Sequence, residues 1–123
     1  MQLSLDWFKR MGSDKTNDII DKRWPQILKD VVLENISALE IALKNGLDIN
    51  AAIQYSQYSE RTLLSHALRY GAEKVTRWLV KNGADLNYRD DPSFLLAVRF
   101  WDENMIRYLV EKGADVNAVN NVG

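Results

Sequence analysis

The sequence predicts an all-α solenoid of helix-turn-helix units joined by hairpin or loop segments, and three observations carry that prediction. The heptapeptides Lys44-Asn45-Gly46-Leu47-Asp48-Ile49-Asn50, Lys81-Asn82-Gly83-Ala84-Asp85-Leu86-Asn87 and Glu111-Lys112-Gly113-Ala114-Asp115-Val116-Asn117 are near-copies of one another. Their glycines lie 37 and then 30 residues apart, within the period of stacked two-helix units. Each copy also follows a stretch of helical apolar spacing: Val75, Trp78, Leu79 and Val80 recur as Met105, Tyr108, Leu109 and Val110.

The elements follow in chain order. Residues 1–23 match no repeat; Leu5, Phe8 and Met11, with Trp7 beside them, make a short amphipathic segment broken at Gly12-Ser13-Asp14. A solenoid must close its terminal apolar face, so this segment is expected to be an N-terminal helical cap on the first repeat. The other reading, a membrane-surface anchor of Leu3, Leu5, Trp7 and Phe8 with Lys9 and Arg10, is too short to bind stably by itself. The repeats then run over about 24–57, 58–90 and 91–123. In each, the second helix ends at the heptapeptide glycine, which takes a left-handed backbone without a Cβ penalty, and a basic residue just before it suits the negative helix end. The Asp and Asn after it are turn formers that bond their own backbone, while Ile49, Leu86 and Val116 between them are expected to point inward.

Within the second unit, Thr62-Leu63-Leu64-Ser65-His66-Ala67 resembles the T-P-L-H-x-A opening of the ankyrin repeat family, and Gly71 stands where that family turns between its helices. The third unit matches more loosely, with Pro92-Ser93-Phe94-Leu95-Leu96-Ala97 and with Trp101 in place of the glycine. In the first, Pro25 to Asp30 and Glu34 occupy those positions, and the helix Ile36 to Asn45 with its turn matches well. The resemblance covers about residues 24–123. It implies a non-catalytic module that binds another protein through a concave face formed by inner-helix ends and hairpin tips.

Mapped by register, the inner-helix ends are Arg69 and Tyr70, then Arg99, Phe100 and Trp101; stacking is expected to join them in one patch. Arginine with large aromatic rings is an interface composition, and Trp101 at a turn position is expected to be mostly exposed. The alternative is that Phe100 or Trp101 fills a gap between units. The tips add Tyr88, Arg89 and Asp90. The interval Ala51 to Arg61 is lengthened by four residues relative to the family pattern and offers Tyr55 and Tyr58 among Gln and Ser, rigid contact area with adaptable hydrogen bonding. Trp78 and Tyr108, at one equivalent site, are expected in the core.

Composition narrows the function classes. Sixteen basic and 17 acidic residues give a net charge of −1 and are interspersed, so no basic field for nucleic acid is present. The chain has no cysteine, which removes disulfides, thiolate catalysis and zinc ribbons and makes the cytoplasm the default setting. No apolar run approaches the ~20 residues of a membrane helix, and the first residues lack signal-peptide order. No membrane or nucleic-acid partner is therefore expected.

For catalysis, His66 is the sole histidine, so neither a triad nor a multi-histidine metal site is available, and no cofactor is expected. The pair Asp90-Asp91 precedes Pro92, and Asp91 reads as an N-cap with proline at the first helical position. The recurrent Asp48, Asp85 and Asp115 read as one turn position seen three times. The residues after Asn117 stop inside what would be a further hairpin, which leaves open a fragment of a longer array or self-association through an uncapped last repeat. Two further readings stand beside the binding module: a small bacterial immunity protein occluding a toxin or enzyme active site, and a structural piece of a longer array.

Overall fold

A computed structural model of the chain describes residues 20–89 and 91–118. Six helices and one two-stranded ribbon appear among them, in the order α1 (Gln26–Val32), α2 (Ile36–Lys44), β1 (Ile53–Ser56), β2 (Ser59–Arg61), α3 (Leu63–Tyr70), α4 (Glu73–Lys81), α5 (Ser93–Phe100) and α6 (Glu103–Glu111). The expected N-terminal cap lies almost wholly outside the described residues, and only its last turn, from Ile20 to Arg23, is in view. No helix among the described residues is long and apolar enough to cross a membrane.

Helices of seven to nine residues are too short to stand alone in water, so packing must hold them. Each first helix packs on its own second helix, and successive units meet chiefly through their first helices, α1 on α3 and α3 on α5. The middle one, α3, has a neighbour on both sides and is accordingly buried along Leu63 to Leu68. The core runs through the stack as Leu28, Val31 and Leu39, then Leu63, Leu68, Val75 and Leu79, then Leu96, Met105 and Leu109. Trp78 and Tyr108, expected in this core, are only half-buried on the second helices, because those helices diverge more than the first ones do.

The heptapeptides close their helices as expected. Gly46, Gly83 and Gly113 have φ of 105°, 91° and 113°, and the two amides after each helix fold back onto it. The Gly83 N–H donates to the Val80 carbonyl (3.2 Å) and Ala84 N–H to Leu79 (3.0 Å); the same pair of bonds recurs at Gly46 and Gly113. This is the Schellman arrangement, and it satisfies carbonyls the helix end would leave free. The following Asp and Asn then do separate jobs. Asp48, Asp85 and Asp115 each accept from the N–H two residues on, at 2.8 to 2.9 Å. The asparagines reach instead to the next unit: Asn50 Oδ1 accepts from the Asp85 N–H (2.7 Å) and Asn87 Oδ1 from the Asp115 N–H (2.8 Å). Asn87 Nδ2 also donates to the Gly113 carbonyl at 3.1 Å. Leu86 is buried as expected, but Val116 is 51% exposed, since no fourth unit stands against it among the described residues.

The turns between paired helices solve one problem in three ways. Gly71 is left-handed at φ 74°. Glu34, at the equivalent place, also takes a positive φ of 57°, at a cost of about 1 kcal/mol for a residue with a Cβ. Its carboxylate accepts from the Lys74 N–H (2.9 Å) in the first turn of α4, whose N-cap Ala72 has no side-chain bond to give, so one unit caps the next. Trp101 is extended (φ −127°), and its indole Nε1 donates to the Leu68 carbonyl at 2.7 Å.

One local expectation is corrected, and one hairpin gains detail. Asp91 does not cap α5, whose N-cap is Pro92; its carboxylate is drawn off to Arg69. The lengthened interval after Asn50 folds as the β1–β2 ribbon, pairing Ile53 with Arg61 and Ser56 with Ser59 around a bulge between Gln54 and Ser56. Its alternating burial puts Tyr55 and Arg61 on one face.

Because nothing lies within 4 Å of a Cβ built on Gly83, any cost of filling it comes from backbone strain. Gly83→Val is expected to lower stability by about 1–2 kcal/mol and Gly83→Asn by clearly less, since Asn tolerates the left-handed region; thermal unfolding of the two variants side by side checks this.

Candidate binding surface

The ribbon leans on α3 through β2, and aromatic and cationic side chains meet beside it. The Arg61 guanidinium carbon lies 4.1 Å from the Tyr55 ring centre and 5.8 Å from that of Tyr70. Behind them Trp24, Tyr70 and His66 pack edge-on or tilted, with ring centres 4.6 to 5.1 Å apart. An open groove of about 810 Å³ runs along this cluster, bordered by Arg23, Trp24, Gln54, Tyr55, Gln57 and Tyr70. Asp21 sits on the same rim, and hydrogen bonds from the Arg23 side chain and N–H hold its carboxyl down to about 2. At the ribbon tip Tyr58 is 88% exposed, so its ring is contact area offered outward rather than packing.

His66 belongs to the floor of this cluster, not to a reactive site. The ring is fully buried, and Arg61 Nη1 lies 3.3 Å from Nδ1. A guanidinium only donates, so Nδ1 is the acceptor and Nε2 carries the proton, without a partner among the described residues. Burial first, then the charges of Arg61 and Arg69, pushes the imidazole down to about 3. The ring is therefore neutral at physiological pH and cannot serve as a general base from within the stack.

The patch expected from Arg69, Tyr70, Arg99, Phe100 and Trp101 comes together only in part, and two of its members are spent on the fold. Arg69 reaches across to the third unit and pairs with Asp91 at 2.9 Å, with both side chains about three-quarters buried. The Phe100 ring lies between cations, 5.9 Å from the Arg69 guanidinium and 5.1 Å from that of Arg99. Trp101, expected to be mostly exposed, is half-buried and tied to Leu68, so its ring bridges two units and truncating it removes that tie. What this patch presents outward is exposed Arg99 with the edge of Phe100. Tyr88 is half-buried and Arg89 exposed, while Asp90 lies outside the described residues. Tyr70 joins the ribbon groove.

Three residues here were not anticipated: Arg61 in the aromatic cluster, and Arg23 and Trp24 on the border of the groove. For Arg61 a signal existed, since a two-residue period through Ile53, Tyr55, Ser59 and Arg61 places Tyr55 and Arg61 on one strand face. Among the described residues no group of three His, Cys, Asp or Glu side chains could hold a metal ion.

Short paired helices stacked through their first members, each pair closed by a glycine and a polar turn, define a helical repeat protein. Residues 27–120 match the family model for ankyrin repeats in three copies, and the chain belongs to that family. No curated protein matches it.

The buried imidazole yields a pH prediction. Because the folded value of His66 lies below the ordinary 6.5, the unfolded chain binds the extra proton between those values. Its contribution to stability is whole above pH 6.5 and is lost as pH falls towards 3. Stability is expected to drop by about 2 kcal/mol between pH 7 and pH 5, and His66→Leu to flatten that slope, in urea unfolding at each pH. Asp21 titrates below this window and does not contribute to it.

Proposed function

We propose that this chain is a non-catalytic protein-binding module whose partner sits on the ribbon groove and on the adjoining edge formed by Arg99 and Phe100. The observation that carries the reading is the exposed Tyr58 ring beside the Tyr55–Arg61–Tyr70 stack. Rigid rings and guanidinium groups already held in place lose little entropy on binding, and they are the side chains that dominate interface hot spots. Ankyrin repeats are generally protein-interaction modules, and a ribbon lengthened in one unit gives this chain contact area of its own. Tyr88 and Arg89 at the next hairpin extend the same surface. Arg69 and Trp101 support it from behind by fixing the second unit against the third.

The reading separates affinity from stability at one residue. A partner captured from native lysate by the intact chain is expected to bind Tyr58→Ala at least about tenfold more weakly, a loss of about 1.4 kcal/mol, while unfolding free energy changes by less than about 0.5 kcal/mol. Undiminished affinity for Tyr58→Ala and for Tyr55→Ala would remove the partner from this groove.

A further inference from the structure

The second helices diverge where the first helices pack, and the space between them is neither empty of chemistry nor neutral. A groove of about 640 Å³ between α4 and α6 is bordered by Arg77, Trp78, Val80, Lys81, Tyr108 and Lys112. Three of these six are cations and none is a carboxylate. The Tyr108 ring lies 4.4 Å from the Arg77 guanidinium and 5.8 Å from Lys112 Nζ, so cations stand over an aromatic floor. Neither Lys81 nor Lys112 has a carboxylate within 4 Å among the described residues, and the one ion pair of Arg77, to Glu73, is long at 3.9 Å and half-exposed. Trp78 also borders a second groove on the far side of α4, with Ile41, 60% exposed, and with Glu40 and Lys44, so the excess of cations is confined to the groove between α4 and α6.

We propose that this face, on the second helices and apart from the ribbon groove, docks a short acidic segment of a partner protein through an apolar anchor side chain. Trp78, Val80 and Tyr108 offer half-buried or partly exposed apolar surface for that anchor; Arg77, Lys81 and Lys112 offer charge for Asp or Glu on either side of it. Charge complementarity of this kind steers encounter and fixes register, and the anchor supplies most of the affinity. A nucleic acid fits less well. Three cations neutralise few phosphates, and the exposed carboxylates Glu40, Glu73, Glu103 and Glu111 on the same helices would repel a longer polyanion.

The test uses the full chain labelled for amide NMR and a peptide of about seven residues with Leu and Phe at its centre flanked by glutamates. Shifts are expected at Arg77, Trp78, Lys81, Tyr108 and Lys112 and not in the ribbon. Affinity should fall at least tenfold for the Lys81→Glu, Lys112→Glu double variant, with the chain still folded and its melting temperature lowered only slightly, because both side chains are exposed and lose just their interaction with the helix ends. That variant should in turn prefer the peptide in which lysines replace the glutamates. A peptide with alanine at both anchor positions should bind at least tenfold more weakly. No binding at millimolar peptide, equal affinity for acidic and basic peptides, or shifts confined to the ribbon groove overturns the proposal. So does tighter binding of a twenty-nucleotide oligo-dT or of phosphatidylserine vesicles. The Tyr55→Ala variant should bind the acidic peptide normally, which keeps this outcome separate from that of the ribbon groove.

Discussion

No helix in this protein can bury its own apolar face, and everything else in the structure follows from how neighbours supply what each one lacks. The first helices stack as α1, α3 and α5, and the asparagines that end the first two heptapeptides, Asn50 and Asn87, reach to the backbone of the next unit. An Asn Oδ1 accepting one N–H contributes only about 1 kcal/mol net, yet it acts at the hairpin, where a two-helix unit would otherwise be free to rotate about its packed helix. The Schellman closures at Gly46, Gly83 and Gly113 place that asparagine at the same distance from each helix end. Three copies of one local geometry therefore become one register for the whole stack.

That register sets what the surfaces can do. Since contacts between units run mainly through the first helices, residues at the inter-helix turns are free to vary, whether or not they add a join between units. Gly71 makes no such join, Glu34 caps α4, and Trp101 ties to Leu68. The ribbon is tolerated for the same reason: residues added between units lengthen a connection without disturbing the stack. Its inward face, Tyr55 and Arg61, is fixed by the rings of Tyr70, His66 and Trp24, so the added segment presents a rigid surface. His66 is neutral at neutral pH, and here it is floor to that surface.

The repeat architecture was legible because it depends on local rules, a glycine after an amphipathic helix and an Asp-x-Asn turn, that recur in the sequence. Stacking of Arg69, Arg99 and Phe100 followed from register alone. What was not legible depended on contacts across units. Nothing in Asp91-Pro92 says that the carboxylate is drawn to Arg69 instead of capping a helix. Nothing in Trp101 says that its indole N–H meets a carbonyl 33 residues away. Trp78 and Tyr108 carry core spacing, but core spacing presumes a close neighbour, and the second helices do not approach as the first ones do. For Arg61 the two-residue period gives the strand face, but its place over the Tyr55 ring depends on the pairing of β1 with β2.

The claim that neighbours hold one another, strap by strap, is most directly tested by native-state amide exchange on Asn87→Ala. The account predicts that the Asp115 amide loses its protection and that exchange in α5 and α6 quickens by about fivefold or more, while α1 and α2 keep theirs. Exchange that quickens equally in all units would show a single cooperative core, and exchange unchanged at Asp115 and through α6 would show that the asparagine straps hold nothing.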